Sequence, residues 1–232
     1  MNLENQYNKL WNKSLQKFRN NEFEFDPLIN SEDDRRYGIT LLTRPSKEVK
    51  RNISNTLEEI RNVAPNQYYY PKSDLHLTIL SIISCYDGFS LDQIEKADYK
   101  KIVQSAIDSI TPFEIEFRGL TASPSCILIQ GFPIGDQINA LRNKLREKFK
   151  NSNLHHSIDK RYQLQTAHMT VIRFKESFEN AERFITKIAE FQESDFGSCV
   201  IDQIEIVGND WYQQKEKVKS IATFSLSKQN VM

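Results

Sequence analysis

One short frame occurs twice in this chain, far apart, and it constrains the fold more than any other feature. His76-Leu77-Thr78-Ile79 interrupts the apolar run Asp74 to Leu80, and His168-Met169-Thr170-Val171 interrupts the run Thr166 to Ile172. In an extended strand successive side chains alternate faces, so a histidine and a threonine two residues apart point the same way. The intervening Leu77, Ile79, Met169 and Val171 require a core on the other face. Each frame therefore predicts a strand that presents an imidazole beside a hydroxyl. Two such strands side by side would aim both imidazoles into one cleft. Such a pair can take a proton from one oxygen and give one to another.

The surroundings of the two frames follow a common order. Tyr37 to Leu42 reads as a strand, and Ser46 is a candidate cap for a helix over Glu48 to Asn62. Tyr68 to Ser84, broken at Pro71, carries the first frame, and Leu91 to Ile110 reads as a helix stopped by Thr111-Pro112. The order then repeats. Phe113 to Gly119 and Cys126 to Phe132 read as strands. A charged helix over Asp136 to Lys150, with Asp136 as its cap, precedes a strand over Gln163 to Phe174 and a helix over Phe178 to Phe191. Val200 to Val207 and Val218 to Leu226 read as a closing hairpin. Ahead of all this, Leu3, Tyr7, Leu10, Trp11, Leu15 and Phe18 recur at helical spacing over residues 2–18. The expected organisation is an N-terminal helical extension, 1–34, and a pseudo-duplicated unit, 35–232.

Composition narrows the class. The chain has 232 residues, with Lys+Arg and Asp+Glu both at 31, so its formal net charge is zero. A surface that coats long nucleic acid would carry a basic excess, so only a local basic pocket is left for such a partner. The cysteines, Cys85, Cys126 and Cys199, form neither a disulfide framework nor a zinc ligand set. No apolar run reaches membrane length, and a cytoplasmic protein with no obligate protein partner is expected.

Paired His-x-Thr-x frames on strands, one per half of a duplicated α+β chain, resemble the 2H phosphoesterase superfamily, which includes LigT-like 2′-5′ RNA ligases and cyclic phosphodiesterases. The likeness covers about residues 35–228. The second frame continues to Arg173 and is similar to the extended His-x-Thr-x-x-Arg form of the LigT-like branch. The resemblance implies an α+β fold with two pseudo-symmetric lobes of antiparallel sheet, outer helices and a central groove. It implies metal-independent phosphodiesterase activity on a 2′,3′-cyclic phosphate, or on a 2′-5′ or 3′-5′ phosphodiester, of a nucleotide or RNA end. Neither cofactor nor metal is called for. His76, Thr78, His168 and Thr170 become the expected catalytic set, with the second histidine as base and the first as acid. The residues themselves leave that direction open. A nucleotide- or RNA-end-binding module without turnover, or a 2′-5′ RNA ligase, are the rival readings.

Further candidates carry competing readings. Arg173 is expected to bind substrate, yet strand parity sends it to the face opposite His168 and Thr170, where a surface role is equally open. Asp74 shares parity with His76 and could orient its ring. Tyr37, Tyr70, Trp211 and Tyr212 are candidates for stacking on a base, with core packing as the alternative. Tyr37 and Trp211 join Arg173 in the expected substrate-binding set. Arg35 and Arg36 could hold a phosphate or form an ordinary charge pair. His155-His156 reads as a solvated loop, and Lys144, Arg146, Lys148 and Lys150 as a solvated basic helix end.

Overall fold

In the computed structural model, residues 2–227 are described; the outer ends of the two expected units, residue 1 and residues 228–232, lie outside them. Helix α1 (Leu3–Arg19) is capped by Asn2, whose side chain accepts from the Asn5 N–H. Its apolar face buries Tyr7, Trp11 and Phe18, and the helix packs along strand β4 (Phe113–Ser123). Two side-chain bonds fix this contact: Ser14 Oγ donates to Ala122 O at 2.8 Å, and Thr121 Oγ1 donates to Tyr7 O at 3.0 Å. The helix thus shares the main core.

Strand β1 (Tyr37–Thr43) leads into α2 (Lys47–Arg61), where the Ser46 hydroxyl accepts from the Val49 N–H as a cap should. After the short β2 (Tyr68–Tyr69) comes β3 (Leu77–Tyr86). The helix expected over Leu91 to Ile110 is shorter: a 3-10 turn at Leu91–Gln93 precedes α3 (Lys96–Ile107). Then follow β5 (Cys126–Pro133) and α4 (Gln137–Lys150). Asp136 holds the cap position of α4, but its carboxylate accepts from Asn139 Nδ2 and makes no cap bond to the backbone. The strand expected over Gln163 to Phe174 is only β6 (Met169–Arg173). Helix α5 (Ala181–Ala189) and strands β7 (Asp195–Ile201), β8 (Gln203–Asp210) and β9 (Lys219–Ser225) complete the chain.

The strands form two antiparallel sheets, of order β3-β1-β8-β9 and β2-β6-β5-β4-β7. The closing hairpin β8-β9 therefore completes the sheet that the first half began. Val200 and Ile201 belong instead to β7, an edge strand of the other sheet. The expected duplication is visible in the strand orders, since β3-β1-β8-β9 maps onto β6-β5-β4-β7. Each His frame opens a strand next to the strand that precedes its connecting helix: β3 beside β1 through α2, and β6 beside β5 through α4. Burial along the frames alternates: Leu75, Leu77 and Ile79 are buried around half-open His76 and Thr78, and Ala167, Met169 and Val171 around half-open His168 and Thr170.

Candidate active site

His76 and His168 each occupy the residue just before a strand, β3 and β6 respectively. Thr78 and Thr170 lie two residues further on, within the strands. All four side chains, with Arg173 and Trp211, line one cleft of about 190 Å³. The two sheets meet here, each contributing one histidine and one threonine.

A pair of matched bulges shapes the cleft. On β3, Thr78 pairs with Leu42 and Leu80 with Leu41, so Ile79 is an extra residue. On β6, Thr170 pairs with Leu128 and Ile172 with Ile127, so Val171 is the extra residue. Both fall three positions after the histidine. A bulge reverses the alternation of side chains beyond it. This corrects the parity argument for Arg173: the bulge at Val171 returns Arg173 to the face of His168 and Thr170. The equivalent residue in the first half is Ser81, which also lines the cleft.

The two imidazoles are held differently. His76 Nδ1 lies 2.7 Å from Asp74 O. A carbonyl only accepts, so Nδ1 carries the hydrogen and Nε2 is the free nitrogen. Asp74 does orient the ring, but through its main chain; its carboxylate accepts from Ser73 Oγ at 2.6 Å. His168 Nδ1 is 2.8 Å from Thr166 Oγ1, a hydroxyl that can either donate or accept.

Burial is the main cause that pushes both histidines down to about 4. For His76 the Asp74 carbonyl opposes this, while Arg44, Arg173 and His168 add to it. For His168 the charges of Arg142 and Arg173 add to it. The cleft is thus locally cationic in a chain of zero net charge. Its one acidic lining residue, Asp159, is paired with Arg146 at 2.7 Å.

Three residues that sequence reasoning passed over or left open support the site. Arg142 of α4 is fully buried, and its guanidinium donates to carbonyls of both frames: Nε to Ile79 O at 2.8 Å, and one terminal nitrogen to Thr78 O at 3.3 Å and Thr166 O at 2.9 Å. Its signal was its place among Ile138, Leu141, Leu145 and Phe149 on the apolar face of α4. The buried Tyr7 hydroxyl of α1 donates to Gly131 O and accepts from the Gly131 and Ala167 N–H groups. It takes over from the β5-β6 ladder next to His168, where the strands run so close that a Cβ on Gly131 would collide with Ala167 O. Tyr70 lines the cleft wall, its hydroxyl accepting from Arg173 Nε at 2.9 Å, which fixes the guanidinium.

The other candidates divide. Trp211 lines the cleft, with the guanidinium groups of Arg36, Arg161 and Arg173 at 5.0, 5.1 and 5.6 Å from its ring. Tyr37 is not among the lining residues, and its hydroxyl donates to Lys217 O. Tyr212 is buried, its hydroxyl donating to Asp26 and accepting from Arg36, which also pairs with Asp34 at 2.8 Å. Arg36 is therefore a structural charge, and Arg35 stands exposed. Arg146 is no free surface charge: besides Asp159 it holds Leu164 O at 3.1 Å, pinning the segment that rims the cleft. His155 is exposed, whereas His156 is half-buried against Phe149. Among the described residues no group of three His, Cys, Asp or Glu side chains could hold a metal, and no helix is long and apolar enough to cross a membrane.

Comparison with known proteins gives a family and a fold. A model of the 2′-5′ RNA ligase superfamily matches residues 49–210. The crystal structure of TT0787 of Thermus thermophilus is similar, with a TM-score of 0.59 and 15% identity over 83% of this chain and 100% of that one. E. coli LigT complexed with 3′-AMP gives a TM-score of 0.55 and 10% identity over 83% and 99% of the two chains. The same protein complexed with phosphate gives 0.54 and 10%, over 84% and 99%. At such identities these structures share the fold. A search of curated proteins finds no match.

Proposed function

This chain belongs to the 2′-5′ RNA ligase superfamily, within the 2H phosphoesterases, and from that premise we propose that it is a phosphodiesterase that hydrolyses a cyclic phosphate or phosphodiester at a nucleotide or RNA end. The observation that carries this reading is the meeting of two imidazoles and two threonines at equivalent points of two half-sites, with Arg173 beside them, in one cationic cleft. That E. coli LigT, of the same fold, is found complexed with 3′-AMP and with phosphate supports a phosphate-bearing ligand.

The local electrostatics favour a division of labour. The Asp74 carbonyl fixes the His76 hydrogen on Nδ1 and stabilises the charged ring, whereas the Thr166 hydroxyl beside His168 Nδ1 can donate as well as accept. His76 is therefore the acid and His168 the base. His168 Nε2 takes a proton from water as the water oxygen bonds to phosphorus. The bond from phosphorus to one ribose oxygen breaks, and His76 Nε2 delivers its proton to that oxygen. A phosphomonoester and a free hydroxyl leave, with the protonation states of the two histidines exchanged; solvent resets them. Thr78 and Thr170 donate to the non-bridging oxygens, where charge builds up, and Arg173 holds the phosphate from the wall.

The test is an assay of 2′,3′-cyclic nucleotides and of 2′-5′ and 3′-5′ dinucleotides with product identification, on the wild type, His76→Ala and His168→Ala. At least one compound should be hydrolysed, and both variants should lose this while keeping the wild-type circular dichroism. Turnover of none of them, or full activity in either folded variant, would refute the reading.

A further inference from the structure

A second groove of about 650 Å³ opens from the cleft on the His168 side, sharing Thr170, Arg173, Tyr162 and Trp211 with it. One wall is the stretch 161–166. The other is the face of α1 that carries Gln6, Lys9, Leu10 and Lys13, positions that align at helical spacing. This wall lies ahead of the 49–210 segment that matches the family.

Three observations bear on what the groove takes. Its lining contains no Asp or Glu, although the chain has 31 residues of each sign. Lys9 and Lys13 are exposed and have no ion-pair partner among the described residues, while α1 is held rigidly through Tyr7, Ser14 and Thr121. Tyr162, at the junction of groove and cleft, is 67% exposed, the most exposed of the large hydrophobic side chains. An aromatic ring so placed offers an open face on which a base can stack.

We propose that this groove is a binding track for a single-stranded nucleic acid, holding the nucleotides attached to the reacting phosphate. The proposal rests on the phosphodiesterase reading of the cleft. Continuity with the cleft makes the occupant part of the same molecule as that phosphate. A base stacks on Tyr162, Leu10 and Leu128 pack against the nucleoside, and Lys9 and Lys13 meet the next phosphates. The preferred substrate is thus the end of an oligonucleotide, with a mononucleotide filling the cleft alone.

The experiment is direct binding, by fluorescence anisotropy, of a labelled RNA tetranucleotide ending in a 3′-phosphate, with the mononucleoside 3′-phosphate as competitor. The tetranucleotide should bind the wild type at least about tenfold more tightly than the mononucleotide. Lys9→Ala/Lys13→Ala should lose that advantage, keep the mononucleotide affinity, and flatten the salt dependence by about 1.4 in log-log slope. Tyr162→Ala should lose part of the advantage without the change of slope. Equal affinity for the two ligands, or an advantage untouched by the lysine changes, would overturn the track while leaving the cleft reading intact. Failure of both ligands to bind would overturn the cleft reading and the track with it.

Discussion

His76 and His168 differ in what holds Nδ1, and the difference has kinetic consequences. Both rings sit near 4 in the free protein, so near neutral pH each is overwhelmingly neutral. Catalysis needs one proton on the pair. As pH rises above that range the singly protonated form becomes scarcer, so kcat/KM, which reports the free protein, should fall from the acid side of neutrality upward. A bound phosphate anion favours the charged imidazole and raises both values. The kcat profile should therefore lie at higher pH than the kcat/KM profile. Superimposable profiles centred at neutrality would speak against the buried, cationic setting as the control. The threonines make a separate prediction. Neither hydroxyl has a hydrogen-bond partner among the described residues, so both are free to donate to a ligand. Thr78→Val and Thr170→Val should each lower kcat by about 10- to 1000-fold, with a smaller change in KM. Unchanged kcat in both would make these residues strand formers only.

At the scale of elements, the cleft depends on two bulges and one helix. The His frames were legible in sequence because period-2 alternation is a local signal. The position of Arg173 was not, because a bulge is an exception to that alternation and leaves no local mark in Thr170-Val171-Ile172. Asp74 was legible as the residue that orients His76, but not that its main chain does so. Arg142 was hidden among the charges of α4, although helical spacing sets it on the buried face. Its three carbonyl contacts make it a positioning residue for both frames. Burial is the main cause that pulls its guanidinium down to about 10, with Arg146 adding to it. Arg142→Met should orphan buried carbonyls, at a cost of about 1–3 kcal/mol in chemical denaturation. Loss of its charge should also move the His168 limb of the pH–rate profile to higher pH. Arg142→Lys should keep that limb in place because it keeps the charge. An unmoved limb in Arg142→Met would reduce the residue to a structural role.

At the scale of the whole molecule, the order of elements was readable but their assignment to sheets was not. Residues 37–172 repeat strand, helix and His strand twice, which is a one-dimensional fact. That β8 and β9 complete the first sheet, while β7 edges the second, depends on pairings between distant segments. Strand β2, two residues long, extends the second sheet beside β6 and carries no pattern of its own. Zero net charge likewise concealed a site whose only acidic lining residue among the described residues, Asp159, is paired with Arg146. The outcome is a cleft in which each sheet supplies one histidine, and the proposed reaction gives the two unequal tasks. A leaving oxygen of low basicity needs no acid, so the division can be read directly. The measurement is kcat/KM for the wild type, His76→Ala and His168→Ala on the natural-type ribose diester and on its p-nitrophenyl ester counterpart. His76→Ala should lose activity on the ribose diester but regain most of it on the p-nitrophenyl ester, while His168→Ala should stay impaired on both. Equal impairment of His76→Ala on the two substrates would rule out its role as the acid.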